Sequence, residues 1–161
     1  MRKFIQNKLK EQKGLTLIEL LAVIVILAII AAIAIPAIGN IIDNSRVGAI
    51  KSDAQNALAA AELLLIDNPK FLDSNNKIEL EDLVKADNGY LDDPGSFAGL
   101  SGTGFQIARP NGALELTAIG KIGSVEVEFV NADKSEINGL PNNTPQRGAG
   151  ASTSGVTVKA R

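Results

Sequence analysis

The chain contains no cysteine and no histidine. The first absence excludes disulfide frameworks, thiolate metal sites and cysteine nucleophiles. The second removes the commonest general base and the commonest transition-metal ligand. No hydroxyl nucleophile stands beside a recognisable base, so no catalytic residue, cofactor or metal is expected. Basic residues are also scarce outside the N-terminus. Residues 1–14 carry Arg2, Lys3, Lys8, Lys10 and Lys13 against Glu11, a net of 5 − 1 = +4. The remaining 11 basic and 17 acidic residues give −6, and the two sum to −2 over 161 residues. An acidic body without a basic stripe argues against nucleic-acid binding.

What is present is a long apolar run. Leu20 to Ile42 holds no charged residue, and every residue from Leu20 to Ile35 is apolar. These 23 residues span roughly 35 Å as a helix at about 1.5 Å per residue, enough for a hydrocarbon core of about 30 Å. The basic residues before the run place that end in the cytoplasm. Two readings stay open at this level. One is a membrane-spanning helix. The other is a secretory signal cleaved after Ala32-Ile33-Ala34, although about 7–15 apolar residues suffice for a signal. Glu19 stands at the head of the run, where a carboxylate opposes insertion unless it is solvated or finds a positive partner.

Beyond Pro36, Ile38, Ile41, Ile42, Ala49, Ile50, Ala54, Ala57, Leu58, Ala61, Leu64 and Leu65 recur at helical spacing. This predicts an amphipathic helix whose Ala-rich stripe packs on a sheet, ending at Asp67-Asn68-Pro69. Pro36 and Gly39 predict a kink or a loosened turn. A loop is expected over Phe71–Asn76 and a short helix over Ile78–Ala86, ended by Asn88-Gly89. Three strands follow, Phe105–Arg109, Leu114–Ile119 and Val125–Val130. Their turns are placed at Pro110-Asn111-Gly112 and Gly120–Gly123. Residues 138–155 predict a surface loop or tail, with Val156–Val158 as an optional fourth strand. Asp87, Asn88, Asp92 and Asp93, like Asp133, Glu136 and Asn138, carry oxygen ligands that suit calcium. Their spacing fits turn and capping roles better. Asn142-Asn143-Thr144 formally matches a glycosylation pattern, a short motif that by itself predicts little.

The segment Lys13-Gly14-Leu15-Thr16-Leu17-Ile18-Glu19-Leu20-Leu21 resembles the type IV prepilin family. Its members carry a basic leader ending in Gly, then a hydrophobic residue and a Thr-Leu-Ile-Glu-Leu-type stretch. The resemblance runs from Lys13 to about Ile42, and Pro36 falls where pilins commonly kink the helix. A weaker likeness covers the loop between helix and sheet. The resemblance implies that a prepilin peptidase cuts after Gly14 and that Leu15 is N-methylated, although the family most often has Phe there. It implies that Glu19 of one subunit pairs with the α-amine of another and fixes register. It also implies an α+β fold, a long N-terminal helix on a small antiparallel sheet of three to four strands.

The implied layout is a leader at 1–14, a membrane and filament-core segment at 15–42 and an outer domain at 43–161. Within the outer domain, the helix occupies 43–66, a loop with a short helix 67–103, the sheet 104–130 and a loop or tail 131–161. The implied partners are other copies of the chain, the peptidase, a membrane platform with its assembly ATPase, and the membrane before assembly. The implied location is the cytoplasmic membrane, as a single-pass precursor, then a cell-surface filament. A pilin supporting adhesion, motility or DNA uptake is the first reading. A pseudopilin of a type II secretion or competence system is the second, and a soluble binding domain released near Ile35 is the third. Many Gram-negative pilins staple their C-terminal region with a disulfide, which this chain cannot form.

Overall fold

The structure is a computed structural model that describes residues 16–72, 77–84, 89–141, 151–153 and 155–160. Its contacts divide the chain after Gly39 into two units. Helix α1, Leu17–Asp67, begins in the first and supplies one layer of the second.

In the first unit, α1 is apolar on every side. Each large apolar residue from Leu17 to Ile38 is 47–89% exposed. A helix apolar all round has no face to offer water. Burying one such side chain is worth roughly 1.5–3 kcal/mol, so this surface belongs in lipid or against other helices. α1 is long and apolar enough to cross a membrane.

In the second unit, α1 is one-sided. Val47, Ile50, Ala54, Ala57, Leu58, Ala60, Ala61, Leu64 and Leu65 are buried. Ile38, Ile41, Ile42 and Ala49, expected on the same stripe, are exposed. The buried face begins only at Val47, and Ala49 lies on the opposite side of the helix.

The other layer is an antiparallel sheet of six strands, rather than three to four, in the order β1-β2-β3-β4-β6-β5. The strands are β1 (Ile78–Glu79), β2 (Phe105–Ala108), β3 (Glu115–Ile122), β4 (Val125–Ala132), β5 (Ala151–Thr153) and β6 (Val156–Ala160). Burial alternates along β2 to β4, so Phe105, Ile107, Leu116, Ala118, Val125, Val127 and Phe129 face the helix. Phe97, in a short 3-10 turn over Gly95–Phe97, stacks edge-on with Phe105 and Phe129 at 5.3 and 6.0 Å between centroids. Its loop is pinned to α1 by the Ser96 N–H, which donates to the Asp53 carboxylate at 2.7 Å.

Three expectations change. The segment from Ile78 is a strand before it is a helix. Ile78 pairs with Ile107 at the sheet edge, and among the described residues helix α2 covers Leu80–Val84, with the Asp82 carboxylate accepting from the Glu79 N–H. Asn88, its expected terminator, lies outside the described residues, as do 73–76 of the expected loop; Phe71 and Leu72 form a helical turn. The second turn falls at Gly123-Ser124, and Gly120, Lys121 and Ile122 remain in β3. Gly123 supplies the left-handed φ of +61°, and Lys121 pairs with Glu126 at 2.9 Å. Finally, the expected tail at 131–161 contains the end of β4, helix α3 (Lys134–Gly139), β5 and β6. Val156 and Val158 are buried and complete the core beside Val127.

Gly120 serves close packing. A Cβ there would meet Ile50 Cγ2 at 2.5 Å and both Phe97 Cε1 and Ser96 Oγ at 3.2 Å. Gly120→Ala is therefore expected to destabilise the second unit by about 1–3 kcal/mol, as overpacked cores do. Urea denaturation followed by circular dichroism measures it.

At the far end of α1, the Tyr90 hydroxyl donates to Asp67 at 2.6 Å. That hydrogen bond, helped by partial desolvation and the Asp67 charge, raises the Tyr90 pKa above its ordinary value. A tyrosine raised on folding adds stability below its unfolded pKa, and loses that contribution as pH climbs through the folded value. Asp67→Asn should bring the titration midpoint back toward about 10. The chain has one tyrosine and no tryptophan, so ultraviolet absorbance reads this group cleanly.

Candidate functional site

The candidate site is the start of α1. Gly14 and Leu15 lie outside the described residues. Thr16 is the first residue described, and it stands just before the helix. The Glu19 N–H donates to the Thr16 carbonyl at 3.0 Å and lies 3.4 Å from the Thr16 hydroxyl, while the Leu20 N–H donates to the same carbonyl at 3.1 Å. Thr16-Leu17-Ile18-Glu19 has the Thr-x-x-Glu spacing of a capping box. The Thr16 hydroxyl, facing the Glu19 N–H, supplies one half of that cap, and the Thr-x-x-Glu spacing is its signal in the sequence. That spacing places a carboxylate in the first turn, where the helix dipole favours negative charge.

Glu19 is exposed among Leu17, Ile18, Leu20 and Leu21. From Glu19 to Asp43 the helix carries no second charge. A lone carboxylate on such a surface is solvated at an interface or paired with a cation. Pro36 and Gly39 both lie inside α1, which continues through them, and the space around Gly39 is open.

A second surface accompanies the first. Ser45, Ala49, Ser52, Asn56, Ala59, Leu63 and Ile66 are all exposed, at intervals of four and three residues. They form an uncharged stripe on the side of α1 away from the sheet. Alternating spacings of four and three bring residues to one seam, as in helices that pack along their length. From Ser45 to Ala59 its side chains are small or polar and give little hydrophobic signal in the sequence, and only Leu63 and Ile66 are large and apolar.

The oxygen-rich clusters have local partners. The Asp133 carboxylate accepts from the Glu136 N–H at 2.8 Å, and Glu136 accepts from the Asp133 N–H at 3.1 Å, a reciprocal cap on α3. The Asp93 carboxylate accepts from the Gly95 N–H at 2.8 Å, which forms a turn. Asp87 and Asn88 lie outside the described residues. Among the described residues, no group of three acidic side chains is placed to hold a metal ion.

Residues 9–35 match the family described as the prokaryotic N-terminal methylation motif. The chain carries the class III leader of type IV pilins and pseudopilins. No curated protein and no solved structure matches the chain. The methylation motif contains Gly14, Leu15 and Glu19 and ends one residue before Pro36. Together, the motif and the exposed apolar helix describe a type IV pilin- or pseudopilin-like protein and fit a membrane-anchored precursor.

Proposed function

We propose that this chain is the structural subunit of a type IV pilus. Its precursor would be cut after Gly14 by a prepilin peptidase, methylated at Leu15 and then polymerised through α1 by a membrane platform and its ATPase. The observation that carries the reading is the methylation motif at the head of a helix whose large apolar side chains from Leu17 to Ile38 are all exposed. Cleavage would remove the +4 leader and create an α-amine with a pKa of about 7.7–8.0, positive at neutral pH. That amine is the cation an otherwise isolated Glu19 requires. The charge-free stripe from Ser45 to Ile66 supports helix-to-helix contact beyond the apolar run. Copies joined head to tail without closing form an open helical polymer. Pro36 and Gly39 would give α1 a place to bend or loosen while packing.

The mass and N-terminal sequence of the protein from its native host test this. A start at Leu15, with one added methyl group, is expected. A start near Ile35 would instead mean a soluble domain released by ordinary signal peptidase. Replacing Gly14 with arginine is expected to leave the precursor uncut and the surface bare of filaments. If long filaments are absent from the wild type while protein secretion or DNA uptake depends on the chain, it is a pseudopilin.

A further inference from the structure

The chain has three Asn-Gly steps, Asn88-Gly89, Asn111-Gly112 and Asn138-Gly139. Glycine leaves the following amide nitrogen unshielded, so the asparagine side chain before it is open to attack by the backbone. The two steps whose asparagine is described differ in their surroundings. Asn111 and Gly112 are exposed in the turn between β2 and β3, with Gly112 at φ +87°. Among the described residues, no hydrogen bond engages either of them. Asn138 is held. Its Oδ1 accepts from Gln55 Nε2, its carbonyl accepts from Lys51 Nζ at 2.8 Å, and Gly139 is the last residue of α3.

We infer that Asn111 is a modification site, a residue that deamidates spontaneously in the folded protein while Asn138 is protected. The Gly112 backbone nitrogen forms a bond to Asn111 Cγ, the Cγ–Nδ2 bond breaks, and ammonia leaves with the amide proton. Water then opens the resulting cyclic imide at either carbonyl, giving aspartate or isoaspartate. No oxidant or reductant takes part. The product carries one more negative charge at the hairpin tip. As isoaspartate it also lengthens the backbone of the turn, where loop length sets strand register.

The test is to incubate the purified full-length chain in detergent at mildly alkaline pH. Peptide mass mapping and enzymatic isoaspartate labelling then follow both sites. Asn111 is expected to convert about tenfold faster than Asn138, because reaction at Asn138 requires local opening of α3. In denaturant the two rates should converge, since both are Asn-Gly steps. Lys51→Ala combined with Gln55→Ala should accelerate Asn138 alone. Should that variant fold poorly, the ratio of rates in the wild type, folded against denatured, decides the matter. Equal rates in the folded protein, or faster conversion at Asn138, would overturn the inference.

Discussion

Glu19→Ala is expected to leave the second unit folded and to reduce filament yield about a hundredfold or more. Glu19 is exposed and belongs to the first unit, so circular dichroism and thermal melting of the sheet should not move. Assembly is different. In the proposed filament, removing the carboxylate leaves the α-amine of a neighbouring subunit without a partner in apolar surroundings. Breaking a buried pair from one side costs about 3–5 kcal/mol. Each 1.4 kcal/mol is a factor of ten in an equilibrium constant, so two orders of magnitude or more should disappear from the polymer. Sedimentation and electron microscopy of sheared filaments measure this. Glu19→Gln keeps the size and loses the charge, and should be nearly as defective. Filaments at wild-type yield from both variants would show that the carboxylate has no part in assembly.

The second large effect lies at the other end of the chain. Val158→Asp should unfold the second unit at neutral pH. Val158 is 0% exposed and pairs with Val127 across the β4–β6 ladder, and both belong to the central apolar cluster. An ionised carboxylate placed there would sit within a cluster of buried apolar side chains. The cost of an unpaired buried charge reaches several kcal/mol, against a total stability of about 5–15 kcal/mol for an ordinary domain. Thr157→Asp is the control. Thr157 faces away from the core between two buried valines, and its variant should remain folded. A cooperative melt for both variants would place β6 outside the core.

The sequence made some layers legible and hid others for physical reasons. The apolar run, the one-sided second half of α1 and the alternation of Val125, Val127 and Phe129 are strong periodic signals, and the structure follows them. The leader motif was equally plain, because its Gly-x-Thr-Leu-Ile-Glu spacing is dense and local. Strand β1 was hidden because two residues have no period, and only pairing with Ile107 makes them a strand. β6 was legible at Val156–Val158 as the optional fourth strand, whereas β5 was hidden behind Gly, Ser and Thr and is a strand only because it pairs with β6. The turn at Gly123-Ser124 was misplaced because Gly120 looked like a turn residue. Its actual role, letting Ile50 and Phe97 approach the sheet, depends on contacts far away in sequence. The bulge between β3 and β4 was equally silent. It places Asn131 at φ +50° and lets the Thr117 hydroxyl take the Asn131 N–H at 3.1 Å, a non-local bond.

The position of β6 sets a timetable. It follows the other five strands along the chain, yet it lies inside the sheet between β4 and β5. Until residues 156–160 have left the ribosome, β4 has an open edge and the cluster around Val127 is incomplete. Ladders that wait on distant segments form late, because the chain between them must first be closed into a loop. Pairing of β6 with β4 is therefore expected to be among the last ladders of the second unit to form.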